Sequence, residues 1–123
     1  YWPEFDKCAA DMLMIGWHPD TEDSANFTEF LAMTRNADTG KGQYNCGHYG
    51  NAEVDKLVNE ANKETDLAKR SAMLKQVEEI LYNDAAFVPL HWQDPSWAAK
   101  GNVEIGPIVN GMNFPYFGDL VVK

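Results

Sequence analysis

Residues 51–81 read NAEVDKLVNEANKETDLAKRSAMLKQVEEIL, and this stretch carries the clearest structural signal in the chain. Asn51 and Asp66 have short polar side chains of the kind that cap helix amino termini, and each precedes an apolar stripe at helical spacing. The stretch predicts two helices that start after these caps and pack antiparallel through a very short connector. The predicted inward positions are Val54, Leu57, Val58 and Ala61, then Met73, Leu74, Val77, Ile80 and Leu81, with Lys69, Arg70, Lys75, Glu78 and Glu79 on the outer side.

Shorter apolar runs lie on both sides of this helix pair. Residues 12–17 (MLMIGW) are too few for a helix and predict a strand that is covered on both faces. Residues 87–92 (FVPLHW) predict a second strand, which lies at a sheet edge because Pro89 cannot donate a ladder hydrogen bond. A short final strand is predicted at 120–122. Strands separated by helices are typical of an α/β layer, so the predicted fold class is α/β.

Between the first strand and the helix pair, the sequence predicts another helix and a long loop. Asn26 is a suitable N-cap, and Glu29 three residues later completes a capping box. Residues 36–50 contain four glycines and predict a polar connection that is mobile unless something pins it. Cys46 lies in this connection, and Cys8 is the only other cysteine. Two thiols permit one disulfide in an oxidising compartment, and two free buried thiols are the alternative.

The composition excludes several classes of function. The chain has 123 residues and a formal net charge of −9, which disfavours binding to nucleic acid or to an anionic membrane surface. No apolar run approaches the roughly 20 residues needed to span a bilayer. The start Tyr1-Trp2-Pro3 is neither an initiator methionine nor a signal peptide, so we expect the chain to be an internal piece of a longer protein.

The candidate binding site is the loop Gly16-Trp17-His18-Pro19-Asp20, which follows the first predicted strand. An indole, an imidazole and a carboxylate lie within it. No Lys or Arg occurs between Cys8 and Thr34, although five acidic residues do: Asp11, Asp20, Glu22, Asp23 and Glu29. An aromatic face beside uncompensated carboxylates predicts a receptor for a cationic group on a small ligand. The next two acidic residues, Glu22 and Asp23, we expect to serve the local turn and the helix dipole instead.

Catalytic and metal sites have weaker signals. Cys46-x-His48 with His18 and His91 matches no zinc spacing, so no metal and no cofactor is expected. The serines lack the Gly-x-Ser-x-Gly setting of an exposed nucleophile. The alternative to a binding protein is a small thiol- or metal-dependent hydrolase that uses Cys46, His48 and Asp20, and it requires a free thiol with a lowered pKa or a bound metal.

Four segments, taken in order, resemble the peptide/nickel-type (family 5) extracellular solute-binding proteins of ABC importers. They cover about residues 11–90. No single motif among them is diagnostic, and the signal comes from their order and spacing. The matching residues are Gly16-Trp17, Asp20, Asp23 and Asn26-Phe27; then Asn45, Tyr49, Asn51, Glu53, Asp55, Leu57 and Ala61; then Asp66, Arg70, Leu74, Glu78, Ile80 and Leu81; and finally Val88-Pro89-Leu90.

The resemblance implies a fold, a function and a location. The chain would be part of the C-terminal lobe of a type II periplasmic-binding-protein-like fold, with 1–100 in that lobe and 101–123 as an irregular return segment towards an absent N-terminal lobe. It would bind a peptide or a related small cationic or zwitterionic solute for an ABC permease, in the periplasm or tethered to the cell surface outside the cytoplasm. It would not be an enzyme. Asp20 would pair with the ligand's α-ammonium, near Gly16, Trp17 and His18. Ser24 stands where many members have proline, so the ligand stays open between dipeptide, oligopeptide, metal chelate and sugar. The isolated piece is expected to self-associate through apolar surface.

Overall fold

The computed structural model describes residues 1–10, 12–19, 23–108 and 114–123. The chain divides into two compact units, Tyr1–Pro89 and Leu90–Lys123. In chain order, the helices of the first unit are α1 (Trp2–Asp6), α2 (Ser24–Phe27) with a π-helical turn at Thr28–Ala32, α3 (Ala52–Ala61) and α4 (Leu67–Asn83). The second unit holds strands β1 (Val103–Glu104) and β2 (Val121–Val122) and two short 3₁₀ turns, Gly106–Ile108 and Phe117–Asp119.

The α3–α4 pair forms as the sequence predicts. Asn51 Oδ1 accepts hydrogen bonds from the backbone N–H groups of Glu53 and Val54, and Asp66 Oδ1 accepts from those of Ala68 and Lys69. The start of each helix is bonded to the end of the other, which confirms the antiparallel pairing. These bonds are Arg70 Nε to the Ala61 carbonyl (3.2 Å) and Asn51 Nδ2 to Asp84 Oδ2 (3.1 Å).

The core of the first unit lies along the predicted apolar stripes. Burial of these side chains supplies most of the driving force for packing α3 on α4. Phe27 and Phe87 pack against this core at a ring-centroid distance of 5.3 Å. The buried cluster consists of Ala32, Met33, Val54, Leu57, Val58, Val77 and Leu81.

Two of the three predicted strands are absent. Residues 12–19, named the extended segment below for their alternating exposure, form no helix and no strand, and their side chains alternate between half-buried and exposed. Met12 is 86% exposed and Met14 is 73% exposed, so the expectation of a strand covered on both faces is wrong. Residues 86–92 also form no strand, and Trp92 is 98% exposed. A strand needs a neighbour to receive its backbone hydrogen bonds, and the described residues supply none to either run.

The last predicted strand is present in the second unit. β2 pairs antiparallel with β1, with Val103 opposite Val122 and Glu104 opposite Val121. The described residues therefore contain helices and one two-stranded sheet, a small α/β-like arrangement. Within the described ranges, no helix combines the length and apolarity needed to cross a bilayer.

The helix predicted to follow an Asn26 cap starts three residues earlier. Its N-cap is Asp23, whose Oδ1 accepts a hydrogen bond from the Ala25 N–H at 2.8 Å. The expected capping box of Asn26 and Glu29 is wrong because both side chains are bonded elsewhere. Asn26 accepts from Trp17, and Glu29 accepts from Asn62.

The long connection 36–50 is pinned at several points. The buried Asn45 side chain donates to the carbonyls of Met33 (3.0 Å) and Tyr49 (2.7 Å) and accepts from the Tyr49 N–H. Gly42 has a φ of +61°, and a Cβ there would overlap the Met33 carbonyl oxygen. Cys46 is joined to Cys8 by a disulfide, so this connection is tied to the residues that follow α1.

Candidate functional site

The predicted binding loop is described in part. Gly16, Trp17, His18 and Pro19 belong to the extended segment, and the Gly16 and His18 positions are exposed. Asp20, the predicted ammonium anchor, lies outside the described residues, as do Thr21 and Glu22. The geometry of the candidate site therefore comes from the residues on both sides of these three positions.

Trp17 is held in place by polar and aromatic contacts. Its Nε1–H donates to Asn26 Oδ1 at 3.0 Å, which links the extended segment to α2. Its ring packs against Tyr44 (centroid distance 5.5 Å) and Phe30 (6.0 Å), and Tyr44 also contacts the buried Phe5 at 5.9 Å. The half-buried indole is thus one member of an aromatic cluster made of Phe5, Trp17, Phe30 and Tyr44.

Asp23, at the far end of the loop, is bound to Arg70 of α4. Arg70 Nη1 lies 2.6 Å from Asp23 Oδ2, and Nη2 lies 2.9 Å from Oδ1. This bidentate geometry matches the planar guanidinium to the carboxylate. The Arg70 hydrogen bonds hold the pKa of Asp23 below its ordinary value of 3.8, and those with Asp23 raise the pKa of Arg70. Asp23 also caps α2, which agrees with its predicted role in the local turn and at the helix dipole.

The prediction of five uncompensated carboxylates is therefore wrong at one of its five positions. Asp23 is neutralised by Arg70, which lies 47 residues later in the sequence. Glu29 Oε2 accepts a hydrogen bond from Asn62 Nδ2 at 2.9 Å, but this neutral amide does not neutralise the carboxylate. Asp11, Asp20 and Glu22 lie outside the described residues. The Arg70 guanidinium binds both carboxylate oxygens of Asp23. The predicted ammonium-binding carboxylate would therefore have to be another residue of the loop.

The prediction that Arg70 lies on the outer side of α4 is wrong. Arg70 precedes Leu74 by four residues and Val77 by seven, so it lies on the same face as the buried stripe. A cation at a stripe position predicts a carboxylate partner in the interior. This spacing was the available signal for the Asp23–Arg70 pair. No feature of the neighbouring sequence predicts the hydrogen bond between Trp17 and Asn26.

The disulfide removes the thiol that the alternative hydrolase requires. Cys46 is bonded to Cys8, so it is neither a free nucleophile nor a thiolate ligand, and the catalytic role suggested for Cys46 with His48 is wrong. Among the residues that the structure describes, no three His, Cys, Asp or Glu side chains are grouped as a metal site.

Comparison with known proteins finds bacterial binding proteins. The chain is 30% identical over 107 residues to the probable deoxycholate-binding periplasmic protein YgiS of Escherichia coli, with 87% of this chain aligned. It is 31% identical over 111 residues to the oligopeptide-binding protein OppA of Bacillus subtilis, with 89% aligned. It is 32% identical over 93 residues to di/tripeptide-binding protein 1 of Pseudomonas aeruginosa, with 72% aligned.

The chain spans about one-fifth of the length of these relatives. The aligned share is 19% of the E. coli and B. subtilis proteins and 17% of the P. aeruginosa protein. No family model matches the chain. No solved structure gives a significant match.

Proposed function

Because this chain is related in sequence to the peptide-type (family 5) solute-binding proteins, over most of its own length, we propose that it is part of such a receptor. In this proposal residues 1–100 belong to the C-terminal lobe of a type II periplasmic-binding-protein-like fold, and 101–123 return towards the other lobe. The receptor binds its solute in the periplasm and delivers it to an ABC permease. The observation that carries the proposal is the alignment of 87–89% of the chain with binding proteins about five times longer.

The proposed ligand is a peptide with a free amino terminus. The names of the relatives include binders of oligopeptides, di- and tripeptides, deoxycholate and heme, so relationship alone leaves the ligand class open. The charge of the loop favours a cation. Apart from Asp23, which Arg70 neutralises, the loop that follows Trp17 contains Asp20 and Glu22, and no Lys or Arg occurs between Trp17 and Thr34. A carboxylate beside an indole is suited to an ammonium group.

We assign the anchor to Asp20, with Trp17, His18 and Gly16 around the ligand. Trp17 is fixed by Asn26 on one side of Asp20, and Asp23 is fixed by Arg70 on the other. Both ends of the intervening loop are therefore attached to helices before a ligand arrives. Such preorganisation lowers the entropy that binding must remove. Capture then shifts an equilibrium between open and closed lobes, which requires that the ligand bind the closed form more tightly.

Calorimetry tests this proposal on the longer receptor that contains the chain. The panel consists of a dipeptide, a tripeptide, the N-acetylated form of each, deoxycholate and heme. For peptides with a free amino terminus we expect Asp20→Ala to weaken binding about 100-fold, because a desolvated ion pair is lost. The N-acetylated peptides bind weakly to both proteins.

Glu22→Ala is the matched control, since it removes a neighbouring carboxylate of the same loop. Equal losses in Asp20→Ala and Glu22→Ala would contradict the anchor assignment. A receptor that binds deoxycholate or heme but no peptide would contradict the ligand class and leave the role of solute receptor intact.

Self-association of the isolated chain stays a prediction. Large apolar side chains are exposed in each unit, among them Trp2 and Met14 in the first and Trp92 in the second. Sedimentation of the isolated chain over a concentration series checks it, and a monomer at all concentrations contradicts it.

A further inference from the structure

The disulfide between Cys8 and Cys46 lies where a small thiol can reach it. Both cysteines are half-buried, and the residues on either side of Cys8 are exposed. Gly47 and His48, which follow Cys46, are exposed as well. Exposure is therefore similar on the two sides and does not decide which sulfur atom an incoming thiolate attacks. The polar groups that contact each sulfur are different.

The Cys8 sulfur is in contact with a cation. Arg35 Nη1 donates to Cys8 Sγ at 2.9 Å, across 27 residues of sequence. A disulfide sulfur is a weak hydrogen-bond acceptor, whereas a thiolate is an anion that a neighbouring guanidinium stabilises. The contact therefore becomes stronger when Cys8 is released as a thiolate. A thiol whose thiolate is stabilised in this way is the better leaving group in disulfide exchange.

The Cys46 sulfur is in contact with a group of the opposite polarity. The carbonyl oxygen of Phe5 lies 3.4 Å from Cys46 Sγ. The same oxygen accepts the backbone N–H of Cys8 at 2.9 Å, which fixes its position. A carbonyl oxygen carries partial negative charge, so it disfavours a thiolate at Cys46. A neutral sulfur at this position meets no such repulsion.

The two contacts favour the same direction of exchange. A thiolate attacks one sulfur of a disulfide and expels the other, and negative charge develops on the attacking and the leaving sulfur while the central sulfur stays nearly neutral. The cation at Cys8 stabilises charge there, and the carbonyl at Cys46 opposes it. Cys46 is therefore the favoured central atom, and Cys8 is the favoured leaving group.

We propose that Cys46 is a site of reversible modification by small-molecule thiols, with Cys8 as the leaving group held by Arg35. The incoming thiolate forms a bond to Cys46 Sγ, the Cys8–Cys46 bond breaks, and its electron pair goes to Cys8 Sγ. One thiolate is consumed and one is released, so the step needs no further oxidant or reductant. Attack of the Cys8 thiolate on Cys46 expels the small thiol and restores the disulfide. The inference does not depend on the proposed function.

The modification releases one attachment of the connection 36–50. Cys46 no longer ties this connection to the residues after α1. The Asn45 side chain still binds the carbonyls of Met33 and Tyr49, so the protein is expected to stay folded in the modified form.

The test uses the oxidised form of the longer receptor that contains this chain, with excess 2-mercaptoethanol as the probe. The reaction is stopped at short times with acid and N-ethylmaleimide, and the peptides are mapped by mass spectrometry. We expect the mercaptoethanol adduct on Cys46 and the maleimide on Cys8, in about 10-fold excess over the reverse pair. Equal amounts of the two products, an excess of the reverse pair, or no adduct on Cys46 would each overturn the inference.

Variants of Arg35 test the cause of this preference. Arg35→Met should slow the exchange about 10-fold and reduce the preference for Cys46, whereas Arg35→Lys keeps a cation and should retain part of the rate. Lys7→Met is the matched control, because Lys7 is next to Cys8 in sequence but is paired with Glu4, and it should react like wild type.

Thermal unfolding of the oxidised proteins establishes that each variant is folded. A wild-type rate and product ratio in Arg35→Met would overturn the role of Arg35. Should Arg35→Met fail to fold, Arg35→Lys and the product ratio of the wild-type protein decide.

Discussion

The α3–α4 pair and the extended segment 12–19 belong to the same unit, and they differ in where their backbone hydrogen bonds are made. The helices close their own bonds, and capping side chains satisfy their first N–H groups. The extended segment forms no strand, and side chains hold it in place: Trp17 to Asn26, and the Tyr1 hydroxyl to the Met14 carbonyl. The difference shows that helices can form from local sequence alone. A strand also needs a pairing partner, which the local sequence does not identify.

The largest expected effect is on the buried face of the helix pair. Leu81→Ala removes a buried side chain of the main apolar cluster and should lower the free energy of unfolding by about 2–5 kcal/mol, because it leaves a cavity. Met14→Ala is the matched change in the extended segment. Met14 is exposed, so this variant should stay within about 0.5 kcal/mol of wild type.

Urea unfolding measures both variants. Similar losses of unfolding free energy in the two variants would show that Met14 is covered in the folded chain. The proposed difference between the two regions would then be wrong.

The disulfide is expected to have an effect of similar size. It closes a loop with a sequence separation of 38, and the double variant Cys8→Ala, Cys46→Ala should lose about 4 kcal/mol by the chain-entropy estimate. The loss of stability should be greatest in the regions whose backbone groups are not hydrogen-bonded within a helix. Hydrogen exchange should therefore accelerate more in residues 36–50 than in α4.

Chemical reduction of the wild-type chain is the control for the packing changes that the two alanines introduce. Uniform acceleration across α4 and residues 36–50 would show that the unit unfolds as a whole, and that its two kinds of structure are not separable.

The smallest effect expected concerns a link between the long connection and the helix ends. The Tyr49 hydroxyl donates to Asp84 Oδ2 at 2.6 Å. Burial and then this hydrogen bond to a carboxylate raise the pKa of Tyr49 from 10.0 to about 12. A raised pKa means that the protonated hydroxyl stabilises the folded state fully below pH 10, and that this stability is lost as the pH rises from 10 to 12.

Unfolding experiments across this pH range check the prediction. Tyr49→Phe should be less stable than wild type at pH 8, with a difference that shrinks towards pH 12, whereas Tyr82→Phe, an exposed change on α4, should follow the wild-type curve. A constant difference at all pH values would contradict the link.

These two regions also explain how much the sequence could predict. The caps Asn51 and Asp66 and the stripes of α3 and α4 were correct because helix signals lie within a few residues of one another. The final strand was correct, since β2 pairs with a partner later found at Val103–Glu104. The predicted strands at 12–17 and 87–92 were wrong. An apolar run indicates a preference for extended backbone, but it does not identify the strand that would pair with it.

The candidate site was predictable only in outline. Trp17 and Asp23 were recognised as loop residues, but their partners, Asn26 and Arg70, were assigned to a cap and to an outer helix face. Asn26 was misread because a short polar residue before a helix is a good cap wherever it stands, and Asp23 three residues earlier was as good. Arg70 was assigned to the outer face because it is charged, although its spacing from Leu74 and Val77 places it on the face of the buried stripe. The role of Asp20 remains a prediction.

In the π-helical turn at Thr28–Ala32 the number of residues matters for the fold, independently of which residues they are. A π turn holds more residues than an α turn, and here it closes through the Met33 N–H and the Thr28 carbonyl. Deleting one residue would allow α-helical winding and would rotate everything on the amino-terminal side by about 100°. Asp23 would then move away from Arg70, whereas Trp17 and Asn26, which both precede the turn, would rotate together. A homologue with a one-residue gap in this turn should therefore have lost the Asp23–Arg70 pair, even if both of these side chains were retained.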